Sequence, residues 1–192
     1  EGGWYAKCMG LKAETEPDIY NAVRFGARTE NMVYKSDCRS LDFENSTVTE
    51  NIRVSYPIDY IPNVATAAYS SAPKHVFFLT ADAFGVLPPL SKLSVEQAMY
   101  YFLNGYTAKV AGTEVGIAEP VATFSACFGQ AFLPLHPMRY AEMLRDRLQR
   151  DKSTQVWLVN TGWIGGPFGI GRRISLYHTR AMIRAVMQGK LD

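Results

Sequence analysis

Histidine and cysteine are scarce in this sequence, with three of each among 192 residues. Cys8, Cys38 and Cys127 form no CxxC pair, which argues against a zinc site or a disulfide framework and fits a reducing compartment. His75, His136 and His178 stand at no metal-ligand spacing from one another, and His136 precedes Pro137, where a capping role is ordinary. Charge of one sign is also lacking. The formal net charge is +2, so there is no overall bias toward nucleic acid or a membrane surface, and any cationic site must be local. No apolar run reaches the length of a membrane span, and no basic patch with a following apolar stretch opens the chain as a secretory signal does. The phosphate loop GxxxxGK[ST] is missing, as are GxGxxG, HExxH and GxSxG.

What is present is apolar material. Hydrophobic residues make up 47% and charged residues 20%, a balance that supports a buried core. No repeat, low-complexity tract or linker divides the chain, so residues 1–192 read as a single unit. It opens on Glu1-Gly2-Gly3-Trp4 rather than Met, as expected either of a processed chain or of a segment that starts in the middle of a fold.

The local signals alternate between strand and helix. Thr15-Glu16-Pro17-Asp18 reads as a helix start with Thr15 as cap, an apolar face of Ile19, Val23 and Phe25, and an end at Gly26. Residues 31–34 and 40–43 read as short strands around a polar turn. Val76-Phe77-Phe78-Leu79 and Val156-Trp157-Leu158-Val159 are continuous apolar runs, expected as strands buried on both faces. Ser94 and Gln97 have capping-box spacing for a helix to about Leu103. Pro137 opens a helix bearing Tyr140, Leu144 and Leu148, and a last helix is expected from about Thr179 to Gln188, closed by Gly189. Buried strands between helices predict an α/β fold with a mixed central sheet and flanking helices. Residues 104–129, with Gly105, Gly112, Gly116 and Gly129, read as a long loop of lid-like composition.

Four places could carry chemistry. Asp82 ends the first buried strand, where it either orients a ligand or caps its own turn. Gly162 to Arg173 is glycine-rich and ends in two arginines, suited to a close backbone approach and fixed positive charge, or to a plain surface loop. Arg53 sits in a strand-like stretch, either as a phosphate clamp or paired with nearby Glu50. The fourth is Gly105 to Gly116, suited either to a lid that closes over a substrate or to a disordered or merely long loop.

Longer strings say more than spacings. Glu1 to Lys7 (EGGWYAK), Thr49 to Pro57 (TENIRVSYP), Phe78 to Pro89 (FLTADAFGVLPP), Gly105 to Lys109 (GYTAK) and Trp157 to Trp163 (WLVNTGW) occur in this order. Together they resemble the carboxy-terminal part of the ATP-dependent phosphoenolpyruvate carboxykinases, over essentially all 192 residues. The resemblance implies part of that family's mononucleotide-binding domain. It also implies an enzyme acting at the entry to gluconeogenesis in the cytoplasm, which converts oxaloacetate and ATP to phosphoenolpyruvate, carbon dioxide and ADP with Mg2+ and Mn2+. By position, Arg53 matches the arginine that meets both the γ-phosphate and the substrate. Glu16 matches a nucleotide-contacting glutamate, and Arg173, Ile174 and Thr179 match the adenine pocket. Lys7 approaches the base from the other side, and Gly2 offers a backbone contact to a cation. Residues from about Gly105 to Gly129 match the mobile active-site lid.

Trp4 departs from the family, which usually has a smaller residue there, commonly Cys. The phosphate loop, the acidic segment after it and the manganese ligands of the family have no counterpart in these residues. The expectation is therefore that the isolated chain is inactive, with the remainder of an enzyme chain as its partner and neither nucleic acid nor membrane involved. Two alternatives are a non-catalytic nucleotide-binding or interaction module that retains the fold, and an unrelated kinase-like protein.

Overall fold

A computed structural model describes residues 3–37, 39–65, 67, 69–110 and 117–191. The chain divides into two compact units, Glu1–Tyr69 with Ala111–Ala118, and Ser70–Val110 with Glu119–Asp192.

The first unit is built on strand alternation. In β5 (Arg53–Pro57) Val54 and Tyr56 are buried while Arg53 and Ser55 face the other way, the period of two that a half-covered strand requires. It is the middle strand of an antiparallel sheet, between β1 (Gly3–Lys7) and β2 (Arg28–Glu30). The buried face packs with Cys8, Leu11, Ala22 and Ile52 into one core. Burial there pushes the Cys8 thiol up to about 11, so it acts as a small apolar group rather than a nucleophile. Helix α1 (Pro17–Ala22) supplies Ala22 to this core, with Ile19 and Val23 beside it. It is shorter than expected. Thr15 does not cap it, because its hydroxyl donates back to the Lys12 carbonyl; Glu16 takes the cap position, and Phe25 is fully exposed beyond the helix end. The expected short strands form a hairpin, β3 (Val33–Tyr34) with β4 (Leu41–Asp42).

In the second unit the run Gln155–Asn160 becomes β10, whose last five residues are all buried. It lies between β6 (His75–Thr80), parallel to it, and β7 (Leu90–Leu93), antiparallel, making a mixed sheet. Only β10 meets the expectation of burial on both faces. β6 borders the sheet on one side only; Phe78 and Thr80 are buried while Leu79 is 55% exposed. Helix α2 (Val95–Asn104) has the expected reciprocal box: the Gln97 N–H donates to Ser94 Oγ at 3.2 Å and the Ser94 N–H to Gln97 Oε1 at 2.9 Å. It ends at Gly105, whose φ of +52° and closeness to the Ser125 carbonyl oxygen leave no room for a Cβ.

Residues 104–129 are not a plain loop. β8 (Tyr106–Lys109) and β9 (Val121–Phe124) pair as an antiparallel ribbon, and residues 111–116 lie outside the described ones. Helix α3 (Pro137–Arg150) starts as expected, with His136 Nδ1 accepting the Met138 N–H at 3.3 Å. Ala98, Leu148, Phe78, Val156 and Leu158 join α2, α3 and the sheet into a second core, with Phe78 stacked on Phe102 at 5.8 Å. The glycine-rich stretch folds as a small hairpin, β11 (Trp163–Ile164) with β12 (Arg172–Arg173). Helix α4 (Leu176–Met187) begins three positions before the expected Thr179, because Ser175 caps it by accepting the His178 N–H. Mixed strands with flanking helices agree with the α/β expectation.

Candidate functional site

In the first unit the open face of the sheet carries a row of charges. Register sets Lys7 of β1 and Glu30 of β2 on either side of Arg53 in β5. Residues directly opposite in an antiparallel pair share a face. This row therefore lies opposite to buried Val54 and Tyr56. Arg53 Nη2 donates to Glu30 Oε2 at 3.0 Å, and the guanidinium carbon lies 4.8 Å from the centre of the Tyr5 ring. The neighbouring Glu30 carboxylate, with some burial, raises the Tyr5 pKa against the opposing pull of Arg53. Arg53 Nε is buried and has no hydrogen-bond partner. An orphaned guanidinium N–H is a donor suited to an anionic oxygen. The carboxylate that pairs with Arg53 is thus Glu30 across the sheet, not Glu50 nearby in sequence. Glu16, at the start of α1, belongs to the same unit and makes no side-chain cap bond.

In the second unit Arg173, Ile174 and Thr179 run from β12 into the first turn of α4. Arg173 lies opposite Trp163 in the hairpin, with its guanidinium carbon 5.4 Å from the Trp163 ring centre and its Nε donating to the Thr161 carbonyl at 3.2 Å. Those contacts hold an exposed cation in a defined plane. The Ile174 N–H donates to the Gly162 carbonyl at 2.8 Å and so is engaged within the chain. Thr179 is buried, and its hydroxyl donates to the Ser175 carbonyl at 3.2 Å.

Asp82 resolves in favour of the turn-capping role. It is fully buried and accepts the N–H groups of Phe84, Val86 and Leu87 and the Tyr106 hydroxyl, all within 2.9 Å. Burial pushes its carboxyl up, but the four donors outweigh this and hold it below the usual range. Asp82 therefore fastens the root of the β8–β9 ribbon. Thr80 Oγ1 also donates to the Tyr106 carbonyl at 2.6 Å, and Thr107 Oγ1 accepts the Ala81 N–H at 3.1 Å. A Cβ at Gly162 would overlap the backbone N and O of Asp82, so glycine is required there.

The structure thus gathers Lys7 and Arg53 on one sheet face, and Arg173, Ile174 and Thr179 at one strand–helix junction. Gly2 lies outside the described residues. Among the described residues no group of three His, Cys, Asp or Glu side chains is placed to hold a metal ion, and no helix is long and apolar enough to cross a membrane. Glu30, Tyr5 and Trp163 escaped the sequence reading. The signal for them is strand register, which pairs Glu30 and Tyr5 with a region far along the chain.

The family model for phosphoenolpyruvate carboxykinase matches residues 1–192. The chain is 57% identical over its whole length to "Phosphoenolpyruvate carboxykinase (ATP) 1" of Moorella thermoacetica, covering 36% of that protein. It is 56% identical to "Phosphoenolpyruvate carboxykinase (ATP)" of Amoebophilus asiaticus, covering 36%, and 57% identical to the protein of that name from Caldanaerobacter subterraneus, covering 37%. The chain therefore spans little more than a third of the length of these curated relatives.

Proposed function

The chain belongs to the phosphoenolpyruvate carboxykinase family, and from that premise we propose that it forms the nucleotide-side portion of an ATP-dependent carboxykinase. Both units then belong to one carboxy-terminal nucleotide-binding domain, in an enzyme that makes phosphoenolpyruvate, carbon dioxide and ADP from oxaloacetate and ATP. Its setting is cytoplasmic gluconeogenesis. The observation that carries this reading is the guanidinium of Arg53, held on an open sheet face by Glu30 and Tyr5 with one buried donor unpaired.

In this reading Arg53 is the catalytic residue. Its N–H groups meet the γ-phosphate and offset the negative charge that builds as the phosphoryl group passes to the enolate oxygen left by decarboxylation. Lys7 adds a second cation on the same face, and Glu16 contacts the nucleotide. Arg173 stacks on or bonds the adenine, the Ile174 carbonyl meets its edge, and Thr179 walls the pocket. The β8–β9 ribbon, rooted on Asp82, excludes water. Mg2+ and Mn2+ would supply further charge neutralisation at the phosphates. The described residues do not fit a metal site, so no step is assigned to a cation on this chain.

The test is Arg53→Ala in full-length enzyme carrying this segment. The expected result is a fall in kcat of about 100-fold or more with a smaller change in nucleotide affinity, because the contact strengthens in the transition state. An unchanged rate removes Arg53 from the mechanism.

A further inference from the structure

Arg53 stands between unlike neighbours. On one side register sets Lys7, a like charge; on the other it sets Glu30. Like charges directly opposite each other in an antiparallel pair repel. A long arginine in that position would swing toward solvent unless something holds it. Glu30 does so with one contact, 3.0 Å to Nη2, and the Tyr5 ring lies against the guanidinium at 4.8 Å. The carboxylate thus fixes the edge of the guanidinium and the Tyr5 ring backs its face.

The ion pair is a poor stabiliser. The Arg53 and Glu30 side chains are 39% and 42% exposed, and exposed pairs contribute only about 0–1 kcal/mol. A carboxylate beside a phosphate-binding arginine also weakens the field on an incoming anion. Neither stability nor affinity accounts for Glu30; the remaining effect is geometric. A guanidinium has five N–H donors in a rigid fork, so fixing one of them aims the others.

We propose that Glu30 is a positioning residue for phosphoryl transfer: it holds the Arg53 fork, backed by Tyr5, in the orientation that meets the transferring phosphoryl group. This rests on the reading of Arg53 given above. Glu30 touches neither substrate nor nucleotide, and its whole effect passes through Arg53.

The test is a double-mutant cycle in full-length enzyme carrying this segment, with Glu30→Ala, Glu30→Gln, Arg53→Ala and Glu30→Ala/Arg53→Ala. Misaiming a positioned group costs up to about 100-fold, so Glu30→Ala is expected to lower kcat by about 10- to 100-fold with the KM for ATP and the thermal midpoint unchanged. Glu30→Gln keeps an acceptor oxygen for Nη2 and is expected to lose less. In the Arg53→Ala background, Glu30→Ala is expected to cost nothing further. Equal additive losses in both backgrounds, or an unchanged or raised kcat in Glu30→Ala, overturn the proposal while leaving Arg53 in place. If Glu30→Ala fails to fold, the same comparison is made with Glu30→Gln. An unchanged kcat in Arg53→Ala overturns the underlying functional reading as well, and so separates the two failures.

Discussion

The Tyr106 hydroxyl donates to Asp82 Oδ1 at 2.9 Å, joining the first residue of the β8–β9 ribbon to the turn that follows β6. The two groups shift each other in opposite directions. Burial and the bond to a carboxylate raise the Tyr106 phenol to about 12, while that hydroxyl and three backbone N–H groups help hold Asp82 ionised against burial. A buried carboxylate with four donors is a stable anchor for the base of the ribbon.

Asp82→Asn should destabilise the second unit by about 2–4 kcal/mol, since the amide sets an N–H2 against N–H donors and removes a charge-assisted acceptor. Denaturant unfolding measures this. The pH dependence has a definite sign. Asp82 has a folded pKa below its unfolded one, so its contribution is complete above the unfolded value of about 3.9 and is lost as pH falls through the folded value. The acid limb of stability should be flatter in the variant; a loss of stability that does not change with acid would contradict the assignment.

Tyr106→Phe should cost less, about 1–2 kcal/mol, because the backbone donors to Asp82 remain. In the unsubstituted chain, ultraviolet titration should show a tyrosine that ionises only near 12, and that transition should vanish in the variant. The phenol is raised, so its contribution is present below the unfolded value of about 10 and is lost as pH rises through about 12.

Arg173→Ala in full-length enzyme should weaken ATP binding by about 2- to 30-fold, the range for losing one stacked or cation–π contact. The fold should be intact, since Arg173 is exposed. Calorimetric titration with ATP checks it, and an unchanged affinity rules out the adenine assignment.

Leu158→Ala in β10 should cost about 2–5 kcal/mol, because the residue is 1% exposed at the centre of the sheet and leaves a cavity. Leu79→Ala in β6, on an open face, should cost far less. Equal losses for the two would contradict the exposure seen here.

The 192-residue chain by itself should give no phosphoenolpyruvate from oxaloacetate and ATP in a coupled assay, because no GxxxxGK[ST] loop is present to cradle the phosphates. Turnover comparable to that of a full-length relative would refute this.

The elements most legible in the sequence were those with short-range causes. The Ser94–Gln97 box needs only a spacing of three, and β10 announces itself as an apolar run because both its faces are covered. The same signal misled at β6, whose apolar Leu79 faces no cover, since composition records what a residue prefers and not what lies over it. Residues 104–129 read as a loop because β8 and β9 pair across a gap that a local window does not span.

By itself the sequence determined the family and the α/β class and marked Arg53, Arg173, Ile174 and Thr179 as candidates, because ordered strings and periodicity are properties of the chain alone. Tertiary structure alone decided the partners: Glu30 and Tyr5 around Arg53, Trp163 beneath Arg173, and Asp82 beneath the ribbon. Partnership depends on strand register, and register is set by which faces are buried in the completed sheet. Arg53 and Glu50 are neighbours in sequence, but the antiparallel ladder sets Glu30 opposite the guanidinium.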